Sequence, residues 1–491
     1  VILRNAAWNL LGLGTPLLVA VVCIPSLIEA LGAPRFGLLT LVWAVVSYFG
    51  LFDLGLGRAV TQQLSAAIGA GRPQEARVIA VNALVLLGLL GVGAGVLLWV
   101  LAPWGVTLLR DLRDPQEALR AARAMAWAMP FVVLTSGLRG AMEAMAAFRP
   151  INLIRIATGA LTFLAPLAVV RLGWNDLGTI AWVLAALRAL GCGLHAFYVS
   201  RLLPGALRPG PYDAEVLRRL LGFGGWLTVS NVVSPLMSYL DRFVIGALLS
   251  LSAVAWYVTP QEIVTKLLIV ASALTSVLFP KMAELHAGGD AGGAVLRIER
   301  QGLLALYLAL FPLTLVLGAA AGPVLALWVG PEFAREGAVA MLVFCFGVLL
   351  NSLAQVPYAA IQARGRADQT AILHLLELPL FLVSIYLLAR EWGVAGAAFA
   401  WTLRILVDFI ALLWLSRPRS EAAASWGTRG VVALIVILTL VSFASATIDD
   451  TAMRIAGCAL PALTALVLAV LRFRADLPTA VLRSRSNRMQ P

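Results

Sequence analysis

Charge is scarce in this chain. Only 13% of its 491 residues are Asp, Glu, Lys or Arg, against about 25% in a soluble globular protein. So little polar surface excludes a chain of this length from folding as one or more water-soluble globules. Lysine is almost missing: of the 37 cations, only Lys266 and Lys281 are not arginine. The arginines are scattered among apolar runs and not clustered, which argues against a nucleic-acid surface despite a net charge of +12. The four cysteines, Cys23, Cys192, Cys345 and Cys458, are far apart, with no CxxC and no His/Cys cluster. That excludes the usual metal-site and disulfide frameworks. What fills the chain instead is apolar: 61% hydrophobic residues and a mean hydropathy of +0.92.

A membrane-crossing helix needs about 20 mostly apolar residues. By that ruler the sequence predicts an all-α polytopic membrane protein with about fourteen transmembrane helices. They fall near 6–31, 36–58, 78–103, 119–145, 152–171, 176–200, 220–247, 252–280, 300–322, 337–360, 370–389, 393–416, 430–448 and 453–471. The first stretch is long and followed by more of its kind, so it reads as a span and not as a signal peptide. Connections are short throughout. The longest, 201–219, is rich in Pro, Gly and Arg and divides the chain into an N-lobe (1–200) and a C-lobe (220–416), with two further helices and a basic tail over 417–491. Cations collect in every second connection, among them Arg72 and Arg77, Arg149 and Arg155, Arg208 and Arg218, and Arg364 and Arg366. The positive-inside rule then places both termini in the cytoplasm.

The two lobes repeat one another. Trp8 recurs as Trp226, Gly178 as Gly396, Leu187-Arg188 as Leu403-Arg404, and the connection Ala147-Phe148-Arg149-Pro150 as Ala363-Arg364-Gly365-Arg366. Six spans per lobe is an even number, so the lobes share orientation and form a parallel repeat about an axis along the membrane normal. This predicts two six-helix bundles, V-shaped around a central cavity, that rock to expose it to alternate sides.

Five cations fall inside spans: Arg139, Arg188, Arg242, Lys266 and Arg404. Each costs about 2.5–3.5 kcal/mol at mid-span on insertion scales, so each needs a partner or a water-filled cavity. Three have an acid four residues away, Arg139 with Glu143, Glu262 with Lys266 and Arg404 with Asp408, whereas Asp241 adjoins Arg242 and Arg188 has no acid within a turn. Such pairs can simply lock helices together. Turned into one cavity, the same cations would suit an anionic cargo, because arginine presents a fork to phosphate oxygens and stays charged. Asp53, Glu29 and Glu377, the last beside His374, are acids able to carry protons, although Asp53, near the cytoplasmic end, suits an N-capping or salt-bridge role at least as well; His374 and His195 read as polar contacts between helices rather than as relays.

Several segments stand in order that together resemble a known family: Asn5-Ala6-Ala7-Trp8, Leu31-Gly32-Ala33-Pro34-Arg35-Phe36-Gly37, Leu51-Phe52-Asp53-Leu54-Gly55-Leu56-Gly57-Arg58, Tyr239-Leu240-Asp241-Arg242-Phe243-Val244-Ile245-Gly246, and Phe279-Pro280. Over essentially its whole length the chain resembles the Wzx-type O-antigen flippases of the multidrug/oligosaccharidyl-lipid/polysaccharide exporter superfamily. The resemblance implies a bacterial inner-membrane transporter, not an enzyme. It would carry undecaprenyl-diphosphate-linked oligosaccharide from one leaflet to the other by alternating access. Asp241-Arg242 matches the family's seventh-helix motif; Arg139, Arg188, Lys266 and Arg404 complete the expected substrate-binding set. Asp53, Glu143, Asp241, Glu262 and Asp408 are the expected charge-pairing or ion-coupling residues. No metal or organic cofactor is expected; the candidate coupling ion is a proton or sodium. Expected partners are the diphosphate-linked glycan, membrane lipids, and a polysaccharide polymerase or glycosyltransferases, with no nucleic acid. The weighed alternatives are a peptidoglycan-precursor flippase, a multidrug exporter, which cationic spans would disfavour, and a membrane-embedded glycan polymerase.

Overall fold

In the computed structural model, the described residues are 2–49, 56–112, 114–207, 213–218, 239–287, 293–416, 426–446 and 451–473. Among them the chain is helical and no strand occurs. The elements are α1 (Ile2–Phe49), α2 (Leu56–Gly69), α3 (Pro73–Leu108), α4 (Pro115–Ala144), α5 (Phe148–Arg171), α6 (Leu177–Leu202) and α7 (239–248). They continue with α8 (Leu251–Thr265), α9 (Leu268–Ala287), α10 (Gly293–Ala319), α11 (Ala321–Val329), α12 (Pro331–Ala363), α13 (Ala367–Leu415), α14 (Trp426–Ser445) and α15 (Thr451–Phe473).

Nine segments among the described residues are long and apolar enough to cross a membrane. Two helices, α1 and α13, each join two of the expected spans across a kink. The kinks fall at Gly32 (φ 74°, ψ 161°) in α1 and at Trp392–Gly393 in α13. Shorter apolar segments occupy Val436–Ser445 and Gly457–Leu471. Large apolar side chains such as Leu18, Val22, Val100, Val316, Leu376 and Leu463 face outward, as they must if the surrounding solvent is hydrocarbon. Trp99, Trp104, Trp174 and Trp392 are exposed near helix ends, where tryptophan anchors at the bilayer interface.

Three local departures from the hydropathy reading matter. The span expected at 36–58 is helical as far as it is described, to Phe49, and α2 carries helix on to Gly69, past the expected end. A short helix, α11, sits between the ninth and tenth expected spans. The span expected at 252–280 is divided between α8 and α9 by a turn of i→i−3 hydrogen bonds: Lys266 N–H to Ile263, Leu267 N–H to Val264 and Ile269 N–H to Lys266. Such a tightened turn inside a long helix is a common hinge geometry.

The chain divides into two compact units, Val1–Val258 and Thr259–Pro491. In the first, α4 packs on both α3 and α6, α5 on α1, and α2 on α4. Small residues set the α3–α4 spacing. A Cβ on Gly91 would come within 2.7 Å of the Pro130 Cα, and one on Gly95 within 2.6 Å of the Ala126 carbonyl oxygen. This is the small-xxx-small packing that membrane helices use for close backbone approach. The start of α8 belongs to this unit because it lies directly on α1: a Cβ on Gly37 would strike the Leu251 carbonyl oxygen. Residues of the 201–219 segment that are described lie against α3, where Arg77 Nε donates to the Gly205 carbonyl at 3.0 Å and Asp213 N–H to Asn82 Oδ1 at 3.1 Å. In the second unit α12 packs on α9, α10 and α13.

The turns after α4 and α12, which the sequence pairs, share one backbone form, found also after α2 and α5. After α4, Ala146 adopts φ 55° and the Ala147 N–H bonds the Met142 carbonyl at 2.9 Å. After α12, Gly365 adopts φ 72° and the Arg366 N–H bonds the Ile361 carbonyl at 3.2 Å. Both are the same left-handed helix-ending motif with a 6→1 bond.

Candidate functional site

The first unit gathers three guanidinium groups along the α4–α5–α6 face. Polar residues on α5 recur at Asn152, Arg155, Thr158 and Thr162, spacings of three and four that put them on one stripe of a helix. Arg155 Nη1 donates to Asn152 Oδ1 at 3.3 Å, and the two threonines turn their hydroxyls back to the carbonyls of Ile154 and Thr158. Across from this stripe, α4 contributes Arg139 and Glu143, whose charged groups are 3.6 Å apart. Arg139, Arg155 and Glu143 lie close enough to act on one another electrostatically, and both arginines act on His195 of α6. His195 is buried, its Nδ1 2.7 Å from the Gly191 carbonyl oxygen.

Arg188 sits deeper. At 1.5 Å per residue it lies about 21 Å from the α6 end at Leu202, and Thr162 lies the same distance from the start of α5, whereas Arg139, Arg155 and His195 lie only about 8–10 Å from the adjoining ends. The Arg188 Nη2 donates to Thr162 Oγ1 at 3.4 Å, while its Nε is buried without a hydrogen-bond partner among the described residues. The unit therefore carries a two-step cationic track: Arg139 and Arg155 near the α4–α5 turn, and Arg188 near mid-helix. A neutral helix pair would be the cheaper solution in a bilayer, and guanidinium groups have the donor geometry that suits phosphate or carboxylate oxygens.

The opposite end of this bundle is braced. Arg120 contacts Asp176 at 2.8 Å and Asp114 at 3.7 Å. Glu117, buried, accepts from the Leu177 N–H at 2.8 Å and meets Arg35 at 3.4 Å. Asp176 caps α6 by accepting from the Thr179 N–H at 2.9 Å. Burial works against its charge, but Arg120 and the Thr179 N–H outweigh it and hold the carboxyl below the usual carboxylate range.

The other sequence candidates fall in different places. Asp241 is fully buried, accepting from the Tyr257 hydroxyl at 2.7 Å and from the Arg242 N–H at 2.8 Å. Arg242 is covered and lies over the Tyr239 ring, 5.2 Å from its centroid. Lys266 pairs with Glu262 at 2.7 Å, as its spacing predicts, and stands on the α8–α9 turn. Arg404 meets Glu377 at 3.7 Å, not the expected partnership within its own helix arm, and Asp408 faces His374 at 3.8 Å. The kink at Trp392–Gly393 brings the two arms of α13 together, so Arg404 and Asp408, which still act on one another, also gain partners across the arms. Asp53 lies outside the described residues. The four cysteines are all buried and none is in a disulfide. Arg155 was not among the sequence candidates, because its place beside the α4–α5 connection made it a topology marker. The 3/3/4 stripe Asn152, Arg155, Thr158, Thr162 was the signal that could have found it.

Comparison with known proteins agrees with this architecture. A protein of Shigella flexneri named "Putative O-antigen transporter" is 28% identical over 415 residues, covering 84% of this chain and 97% of that protein. Two solved structures share the fold. One is a multidrug resistance MATE family transporter of the MOP superfamily in an inward-facing conformation (TM-score 0.70, 17% identity, 83% of this chain and 97% of that one). The other is the lipid II flippase MurJ in an inward closed conformation (TM-score 0.69, 10% identity, 96% and 99%). The sequence profile of the family described as "Polysaccharide biosynthesis protein" matches residues 2–286, and the chain belongs to that family.

Proposed function

We propose that this protein is a flippase for lipid-linked oligosaccharide diphosphates in the bacterial inner membrane, with both termini cytoplasmic and the cargo moved by alternating access. The observation that carries the proposal is the cationic track of the first unit. A diphosphate needs several fixed positive groups in low dielectric, and guanidinium forks supply them without losing charge. Arg139, with its side chain 46% exposed, and Arg155 give the first contact at the α4–α5 end, the end that the arginine distribution assigns to the cytoplasm. Arg188, deeper and hydrogen-bonded only to Thr162, takes the diphosphate toward mid-membrane. Arg242 is covered in this state and Arg404 is engaged by Glu377, so neither shares the first contact. Lys266, on the turn between α8 and α9, is engaged by Glu262 and is left out of the first contact as well. The Shigella relative's name and the MurJ fold support transport over catalysis, and a polymerase or glycosyltransferase is then the supplier or consumer of the cargo.

The test is translocation in vesicles holding the purified protein and a labelled undecaprenyl-diphosphate oligosaccharide. Arg139→Ala with Arg155→Ala is expected to abolish translocation while leaving insertion and the unfolding midpoint within about 1 kcal/mol, since the Arg139–Glu143 pair is half-exposed. Undiminished flipping in the double variant would overturn the assignment. Equal transport of a peptidoglycan precursor with a short glycan would extend the cargo class to that lipid.

A further inference from the structure

The second unit contains a charge cluster that the cationic track does not use. The first arm of α13 supplies His374 and Glu377, and the second arm supplies Arg404 and Asp408. A ligand atom from each of His374, Glu377 and Asp408 lies within 4.8 Å of the other two. Tyr358 of α12 stacks on the His374 ring at 14° with centroids 6.1 Å apart, and Arg404 lies over the Phe381 ring. Arg404 acts electrostatically on His374, Glu377 and Asp408, and Asp408 acts on both His374 and Glu377.

Glu377 is 3% exposed, yet among the described residues neither of its carboxyl oxygens has a hydrogen-bond donor, and Asp408 Oδ1, on a residue 7% exposed, also lacks one there. Arg404 and His374 approach at 3.7 and 3.8 Å, which is ion-pair range but too long for a hydrogen bond. Two ionised carboxylates this close cannot both persist beside a single guanidinium and a neutral imidazole. Counting charges with histidine neutral, Glu377 and Asp408 bring two negatives and Arg404 one positive, leaving the buried cluster one positive charge short. The missing charge is monovalent. A divalent metal would have to share the carboxylates with the guanidinium already there.

We propose that Glu377 and Asp408 hold one exchangeable proton between them, with His374 as the group that receives it when it leaves. The proton on a carboxyl oxygen of the pair satisfies the neighbouring carboxylate's empty lone pair and brings the cluster to neutrality. Moving it to the His374 nitrogen facing Asp408 leaves both carboxylates ionised, each opposite a cation. This assigns the coupling ion to residues of the second unit. It adds a driving ion to the transport reading but rests on the cluster's own charge count, so either can fail without the other.

The experiment is infrared spectroscopy of the full-length protein in lipid vesicles, following the carbonyl stretch of protonated carboxylic acid. At neutral pH exposed Asp and Glu are ionised, so a band there reports buried acid. The wild type is expected to show one such carboxyl, unchanged when sodium replaces choline. Removing either acid, Glu377→Gln or Asp408→Asn, leaves one carboxylate facing one cation and should abolish the band. Removing the cation, Arg404→Gln, should roughly double it, an opposite change that misfolding would not produce. No band in the wild type at neutral pH would overturn the proposal. So would a band that sodium suppresses, which would assign the site to a metal cation instead.

Discussion

Arg188 is the sharpest point at which function and stability should separate. The perturbation is Arg188→Leu, with Arg188→Lys beside it. In the structure this guanidinium has one weak hydrogen bond, at 3.4 Å to a threonine, and no acid faces it among the described residues. A structural cation would lose a partner when removed, and truncating one side of a buried pair costs about 3–5 kcal/mol. Here almost nothing is lost, while the unfavourable transfer of an arginine to mid-span, about 2.5–3.5 kcal/mol, is relieved. Discounting for water around a side chain that is only partly buried, the leucine variant should be more stable by about 1–2 kcal/mol. Binding should move the other way. A hydrogen bond to a charged group contributes about 1.5–3 kcal/mol, so affinity for the diphosphate lipid should fall roughly ten- to a hundredfold. Lysine keeps the charge but not the fork and should fall between. Two measurements on one preparation decide it: unfolding in detergent and binding of labelled undecaprenyl-diphosphate lipid. A leucine variant that is less stable and binds normally would show that Arg188 holds helices together and has no part in cargo binding.

Two further outcomes follow from packing and capping. Gly95→Leu would drive a side chain into the Ala126 carbonyl of α4 and should destabilise the protein by about 1–3 kcal/mol; Gly93→Leu, with nothing within 4 Å of its Cβ position, is the matched control and should be near neutral in the same unfolding assay. Asp176→Ala should weaken the α6 N-terminus by about 1 kcal/mol. Because the Asp176 carboxyl is held below its ordinary range in the folded chain, its contribution is complete above about pH 4 and disappears as pH falls through the lower folded value. Wild type and variant should therefore differ in unfolding midpoint at neutral pH and converge in acid; a gap that persists in acid would refute the capping role.

Much of the fold was legible because a bilayer allows few solutions. Apolar runs of span length can only be helices there, so α3, α4, α5, α6, α10 and α12 were readable within a few residues. α2 and α11 escaped because they are short and interrupt the apolar runs. The break at Lys266–Leu267 escaped because hydropathy is blind to hydrogen-bond register. The charge pairs divide the same way. Arg139–Glu143 and Glu262–Lys266 were legible, since i,i+4 neighbours on one helix need no tertiary information. Arg404 with Glu377, and Asp408 with His374, were not: they depend on a kink closing two arms on each other. Arg155 drew notice only as a topology marker, because its proximity to Arg139 and Glu143 depends on the packing of α5 beside α4.

The paired turns at Ala146 and Gly365 have a consequence for how such a chain can diversify. One uses alanine in a left-handed conformation that favours glycine and the other uses glycine, yet the same backbone bond closes both. The hairpin is therefore held by main-chain geometry that side-chain change hardly touches. Each half keeps its scaffold while its interior is free to specialise: one half has accumulated guanidinium groups, the other a carboxyl pair with a histidine. Two frames closed by the same main-chain bond can carry different polar side chains in their interiors without a new fold.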